Sequence, residues 1–370
     1  MSKTNFIPVG ANIKVIGLGG AGCNAITRMV REQIRGVEFI AMNTDAQQLA
    51  FTEAAVRVQL GERLTHGQGA GGDHTVGQKA AEESKDEIKD VIKGADMVFV
   101  TAGMGGGTGT GSASVVAEIA KGAGALTIAI VTKPFGFEGN HRLKTAQAGI
   151  EELIPKVDTL VIIPNDRLLQ LCDQKTNIDS AFRMADEVLH HGVQAIAEVI
   201  TVPGLINLDF ADIRTIMKNA GPAWMSIGRG SGPNRAIEAA KEALASPLLD
   251  VSMEGATGVM FNITGSSSLT LFEVNAAAEV IKQAVDPNAN VIFGVAFDTN
   301  MTNEIRLTLI ATGFANQAGV NSAARDKEIT KVLKELKPHE YDTPSFLRQR
   351  NMPPTKIAPT EVFANRGVLR

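Results

Sequence analysis

Gly105-Gly106-Gly107-Thr108-Gly109-Thr110-Gly111 packs five glycines and two threonines into seven residues, between an apolar run at Met97–Thr101 and a helical pattern at Ser112–Lys121. An ordinary turn uses one or two glycines. A run this dense means that backbone must approach something closely. It predicts an anion nest of N–H groups, with the threonine hydroxyls able to bond phosphate oxygens or serve a metal. Upstream, Gly17-Leu18-Gly19-Gly20-Ala21-Gly22 also joins a strand to a helix and fits the pattern G-x-G-x-x-G. Two glycine loops at the same end of one parallel sheet can hold a di- or triphosphate between them. A third stretch, GQGAGG at Gly67–Gly72, fits a flap over the terminal phosphate and a plain flexible loop equally well.

Working outward, strand and helix patterns alternate. Strands are expected at Ile13–Gly17, Val37–Met42, Met97–Thr101, Ala125–Val131 and Thr159–Ile163. Helices are expected at Gly20–Ile34, Asp73–Gly94 (with Asp73 as N-cap), Ser112–Lys121 and Asn140–Leu153. This alternation predicts an α/β fold, a doubly wound parallel sheet covered on both faces. A long amphipathic helix follows at about Ile178–Ile200, with apolar residues repeating at three and four, and Pro203-Gly204 ends it. Helices at Asn234–Ala245 and Leu271–Ala284 and strands at Gly258–Ile263, Asn290–Phe297 and Arg306–Ala311 predict a second, smaller α/β domain. The expected division is an arm at 1–11, a nucleotide-binding domain at 12–175, a central helix at 176–202, a second domain at 203–316 and a flexible tail at 317–370. The tail is polar and proline-rich; within it Tyr341–Arg348 (YDTPSFLR) reads as linker or as a peptide that orders on a partner.

Composition narrows the class. The 370 residues are 44% hydrophobic and 21% charged, with a net charge of −4, which suits a globular protein and disfavours a dedicated nucleic-acid binder. No apolar run reaches the roughly 18 residues of a membrane span, and the first residues lack the apolar core of a signal peptide, so a cytoplasmic protein is expected. Cys23 and Cys172, the two cysteines, are expected as free thiols. The histidines show no metal-ligand spacing; His190 and His191 are read as ordinary helix residues.

GGGTGTG at 105–111 resembles the signature of the tubulin and FtsZ family. GLGGAGCNA at 17–25, NTD at 43–45, TKPFGFEG at 132–139 and PGLINLDFADI at 203–213 are similar to its bacterial cell-division branch, in order from about residue 12 to 316. The resemblance implies a GTPase that polymerises head to tail into a division ring and hydrolyses GTP at a site shared by adjacent subunits. It implies that Gly19, Gly20, Ala21, Gly22, Cys23 and Asn24 would surround the phosphates. Gly103, Gly105, Gly106, Gly107, Thr108 and Gly109 would do so from the second loop, with Thr132, Pro134 and Asn165 contributing to the nucleotide site. Glu138 and Arg142 would hold the ribose and phosphate side; spacing alone would make them a surface ion pair of little worth. Phe182 would stack on the base. Asp186 would accept from guanine N1–H and the 2-amino group, where adenine would present an acceptor to it; periodicity alone would leave Phe182 in the core and Asp186 solvated. Asp209 and Asp212, with Asn207 assisting, would act catalytically on the next subunit's nucleotide. From residues alone Asp209 is an N-cap and Asp212 an acidic N3 residue of a short helix running to about Lys218. GTP or GDP is the implied ligand and Mg²⁺ the expected cation, with no certain metal ligands. Further copies of the chain, and membrane tethers and regulators reached through the tail, are the implied partners, at mid-cell. Thr343 stands where the family has an aliphatic residue, and Trp224 has no functional role in this reading.

Two other readings compete. An NAD-dependent oxidoreductase would explain the first glycine loop, but Asn43 closes the second strand where a ribose-binding acid belongs, and GGGTGTG would lack a role. A structural polymer that binds GTP but hydrolyses it poorly is the other, and the presence of both Asp209 and Asp212 argues against it.

Overall fold

The computed structural model describes residues 11–34, 36–169, 177–201, 209–246, 256–298 and 301–314. Cys172, Asn207 and the tail, including the 341–348 peptide, lie outside the described residues. The elements are β1 (Ile13–Leu18), α1 (Gly19–Arg31), β2 (Val37–Asn43), α2 (Ala46–Phe51), β3 (Val56–Gln59), α3 (Glu62–Thr65), α4 (His74–Glu83), α5 (Lys85–Ile92), β4 (Met97–Gly103), α6 (Thr108–Gly122), β5 (Leu126–Lys133), α7 (Asn140–Leu153), β6 (Thr159–Pro164), α8 (Asn165–Leu168), α9 (Ile178–Thr201), α10 (Phe210–Met217), β7 (Gly221–Ser231), α11 (Arg235–Leu244), β8 (Gly258–Gly265), α12 (Leu271–Ala284), β9 (Asn290–Phe297) and β10 (Glu304–Thr312).

Strand order is β3-β2-β1-β4-β5-β6-β7-β10-β8-β9. The first six strands are parallel, and β1 and β4 lie side by side with Leu18 opposite Ala102. Strand order therefore reverses between β1 and β4. In a doubly wound sheet the crevice beyond the strand ends at such a reversal is where ligands bind. Both glycine loops leave from the C-terminal ends of these two strands. β1 is buried along its whole length, as expected of a strand covered on both faces. Among the described residues, one apolar layer joins α1 and α9 to one sheet face, and α4, α5, α6 and α7 cover the other.

α9 has 24 residues and spans about 36 Å at 1.5 Å per residue. It packs on α1 and β5 and also on β9 and β10. Gly192 lies where a Cβ would meet Ile130 at 3.2 Å and Met225 Sδ at 3.0 Å, so the helix sits flush on the sheet. His190 and His191 lie within α9, as expected, and His190 is buried. Burial pushes their pKa values down to about 3 and about 4, which keeps both rings neutral, and His190 Nε2 lies 3.1 Å from Glu32 on α1.

Beyond α10 the sheet is mixed. β7 runs parallel to β6, pairs antiparallel with β10, and β8 pairs parallel with β9. A separate apolar core, from α11, α12 and β8 to β10, fills this region. β7, which carries half-buried Trp224, was not foreseen. The helix expected at Asp73–Gly94 is two helices that part at Ser84, whose hydroxyl accepts from Gly61 N–H at 3.0 Å. Asp73 does cap α4, accepting from Thr75 N–H at 2.8 Å.

Candidate functional site

The two glycine loops touch. Gly19 has φ +65°, and a Cβ there would lie 2.8 Å from Gly109 N. α6 begins at Thr108 rather than Ser112, so Gly109 and Gly111 form the first turn of a helix rather than loop. That start presents unpaired backbone N–H groups and the positive end of the helix dipole to the cleft. No acidic residue occupies the first turn of either α1 or α6, which leaves both ends electropositive for an anion.

The two threonines have different jobs. Thr110 is buried, and its hydroxyl accepts from Gly105 N–H at 2.8 Å, stapling the loop. Its hydroxyl is committed within the protein, contrary to the expectation that both threonines face a ligand. Thr108 borders the cleft, with its hydroxyl 2.5 Å from that of Thr44.

A cleft of about 530 Å³ opens over these loops. Gly20 and Ala21 line it from α1, and Gly103, Gly106, Gly107, Thr108 and Gly109 from the second loop. Thr132, Pro134, Glu138, Arg142, Asn165, Phe182 and Asp186 line it as well. Gly19, Gly22 and Gly105 are backbone supports just behind its wall, and Asn24 lines the adjoining cleft. The Cys23 thiol points away to the Met42 carbonyl, and burial pushes its pKa up to about 11, leaving only backbone for a ligand.

Glu138 accepts from Phe135 N–H at 2.8 Å and pairs with Arg142 at 2.5 Å. The pair is therefore tied to the turn that closes the cleft, beyond what i,i+4 spacing conveys. Asn165 is 5% exposed and its Oδ1 has no hydrogen-bond partner. An orphaned buried acceptor costs about 1–3 kcal/mol and fits a hydroxyl-bearing ligand. Phe182 is 40% exposed and meets the buried Phe135 edge-on at 5.4 Å, leaving a ring face for a planar group. Burial pushes the Asp186 carboxyl up to about 6, opposed chiefly by the charge of Arg28.

Sequence reasoning missed Asn43, Asp45 and Gln48, which line the cleft with Gln68 and the Gly69–Gly72 loop. Asp45 caps α2 by accepting from Gln47 and Gln48 N–H at 2.9 and 3.1 Å, and Asn43 donates to Gln48 Oε1 at 3.1 Å. The signal was a polar Asn-Thr-Asp closing an otherwise apolar strand. Among the described residues no group of three or more His, Cys, Asp or Glu side chains is placed to hold a metal, and no helix is long and apolar enough to cross a membrane.

Asp209 and Asp212 lie elsewhere. Asp209 caps α10, its side chain accepting from Ala211 N–H, and its carbonyl accepts from Asp212 N–H at 3.0 Å. Both acids are exposed and outside the cleft. The end of α10 is fastened where β6 begins: Asn219 N–H donates to Asp158 at 3.4 Å, and Gly221 pairs with Thr159. The cleft lies at the other end of β6, where Pro164 leads into Asn165. Six residues of strand separate those ends by roughly 20 Å.

The model of the tubulin/FtsZ family GTPase domain matches residues 12–173, and that of the FtsZ family C-terminal domain matches residues 221–315. An empty FtsZ dimer from M. jannaschii is similar at 48% identity, with 82% of this chain and 89% of that chain covered and a TM-score of 0.80. Two Haloferax volcanii structures share the fold. The GDP-bound monomer of CetZ1 is 20% identical over 88% of this chain and 99% of its own, at a TM-score of 0.70. The GTPγS-bound protofilament of CetZ2 is 19% identical over 87% and 99%, at a TM-score of 0.70. The nicotinamide alternative is thereby set aside: two touching glycine loops at a strand-order reversal, followed by the family's second domain, make this chain a member of the tubulin/FtsZ family of GTPases.

Proposed function

We propose that the chain assembles head to tail and hydrolyses GTP at a site completed by two copies. One copy supplies the cleft: the glycine loops hold the phosphates, Glu138, Arg142 and Asn165 the sugar side, and Phe182 and Asp186 the base. The next copy supplies Asp209 and Asp212 from α10, with Asn207, to orient and polarise the attacking water. Phosphoryl transfer requires positioning and charge stabilisation rather than a protein nucleophile, and a pair of exposed carboxylates meets that need.

What supports this reading is that Asp209 and Asp212 are exposed and do not line the cleft, and that the helix carrying them ends against the start of β6 whereas the cleft lies past the other end of that strand. On this reading the acids of one copy serve the cleft of another. Mg²⁺, expected beside the phosphate loops, would take its ligands chiefly from phosphate and water. Bound there, it would neutralise phosphate charge. The working division follows the expected boundaries, with 12–175 holding nucleotide, 203–316 presenting the acids and α9 joining them. The chain acts in the cytoplasm at the division site, with the 341–348 peptide recruiting membrane-tethering partners.

Mixing two defective variants tests the shared site. Asp212→Ala retains its cleft, and Asp186→Ala retains its acids. Together they regain GTP turnover that neither has alone. Absence of any rescue, with both variants folded and Asp212→Ala still binding GTP, would show that each copy works by itself.

A further inference from the structure

Arg28 lies one turn after Asn24 on α1 and reaches across to α9. Its Nη1 donates to the Arg183 carbonyl at 2.9 Å and lies 3.1 Å from Glu187 Oε1. A second cleft, of about 430 Å³, holds Arg28 and Arg183 and shares Gln48 and Asp186 with the nucleotide cleft. Arg28 and Asp186 thus face the same space, one from each helix.

Most other charges around Asp186 have partners of their own. On α1, Arg31 is held by Glu53 at 2.6 Å, while Glu32 lies 3.1 Å from the neutral His190 ring and also feels the charge of Arg28. On α9, Arg183 pairs with Asp179 at 2.9 Å, while Glu187 takes Arg28. Across the cleft Arg142 pairs with Glu138, and Asp45 caps α2. Arg28 is the cation whose charge most opposes the burial of Asp186, and Glu187 acts in the opposite sense.

The protonation state of Asp186 decides which purine edge it complements. A carboxylate accepts twice and fits the paired donors of guanine. A neutral carboxyl donates once and accepts once, which fits the N1 acceptor and 6-amino donor of adenine.

We propose that Arg28 is a specificity-determining positioning residue, which clamps the first turns of α9 to α1 and holds Asp186 as a carboxylate, so that the cleft selects GTP over ATP. The inference rests on the base-reading role given to Asp186 above. The sign is fixed: GTP preference is full above the Asp186 pKa of about 6 and decays as pH falls through it.

The test is equilibrium binding of GTP and of ATP to the full chain between pH 5 and 8, for wild type, Arg28→Gln, Arg28→Lys, Glu187→Gln and Asp186→Asn. Arg28→Gln is expected to raise the midpoint of the selectivity curve by at least about half a pH unit, roughly a threefold loss of GTP preference near the wild-type midpoint. Arg28→Lys keeps the charge and restores the midpoint. Glu187→Gln removes the neighbouring anion and moves the midpoint down, an opposite shift that keeps the inference testable if Arg28→Gln fails to fold. Curves for Arg28→Gln or Glu187→Gln that superimpose on wild type, with both nucleotides weakened equally, overturn the inference and leave Arg28 a packing residue. Unchanged selectivity in Asp186→Asn instead overturns the base-reading role itself, and the inference with it.

Discussion

The Thr159 hydroxyl donates to the Met217 carbonyl at 2.5 Å. This bond pins the last turn of α10 to the first residue of β6, at the end of that strand remote from the glycine loops. Thr312 adds a second tie, its hydroxyl donating to the Ile216 carbonyl at 3.3 Å. The C-terminal end of the helix that carries Asp209 and Asp212 is therefore fastened to the sheet rather than hung on a loop. Replacing Thr159 by Val removes a donor and leaves the Met217 carbonyl buried without it. A stability loss of about 1–3 kcal/mol is expected by chemical denaturation, together with slower GTP turnover and unchanged GTP affinity. Weakened affinity with unchanged turnover would mean that this end of β6 serves the cleft.

Gly19 is where the two phosphate loops meet. Its φ of +65° and the 2.8 Å from a Cβ to Gly109 N make Gly19→Ala strained in the backbone and obstructed at the contact. Strain of about 1–3 kcal/mol is expected, read as a lowered melting temperature and at least tenfold weaker GTP binding in a titration. Gly122→Ala, in open space near the end of α6, is the control and leaves binding intact.

Asp186→Asn exchanges one acceptor for a donor at the base edge. An asparagine complements xanthine, which has an N1–H donor beside a carbonyl acceptor. GTP affinity is expected to fall about ten- to a hundredfold, by one mispaired buried group, while XTP binding rises above its wild-type level. Competition of GTP and XTP for the same cleft measures it. Equal losses for both would place the base elsewhere.

In the second region, Arg235 is 5% exposed and bonds Glu273 at 2.6 and 3.3 Å. The hydrogen bond from Arg235 holds the Glu273 pKa below its usual 4.5. A depressed carboxylate contributes stability that is fully present above the unfolded value and is lost as pH falls through the folded one. The stability gap between wild type and Glu273→Gln is therefore full near pH 7 and begins to shrink as pH falls below about 4.5, closing through the lower folded value. Glu273→Ala also removes the carboxylate partner of the guanidinium, which then keeps Ser268 alone among the described residues, and is expected to be more destabilising than Glu273→Gln. Denaturation midpoints at pH 7 and pH 4 check both statements.

Much of this architecture is legible in local pattern. Asn140–Leu153 and Leu271–Ala284 run as periodicity predicts, and Asp73 and Asp209 cap helices as their residue types suggest. Local pattern failed where tertiary contacts decide. Glycines normally disfavour a helix, yet Thr108–Gly111 is helical because packing leaves no room for side chains: a Cβ at Gly111 would strike the His74 carbonyl. Ser84 interrupts one amphipathic pattern because its hydroxyl is drawn to Gly61. Asn43, Asp45, Gln48 and Arg28 join the site because strand order places β2 beside β1 and α1 against α9, information that no short window of sequence carries.

The central claim is that one copy's acids complete another copy's site. Its most direct test is phosphate release from GTP with Mg²⁺ over a protein dilution series, for wild type and Asp212→Ala. The account predicts turnover per subunit that rises steeply above a threshold concentration and collapses in the variant, which still binds GTP. Turnover per subunit that is independent of concentration and survives Asp212→Ala would contradict it, and would leave Asp212 as a residue of the first turn of α10 alone.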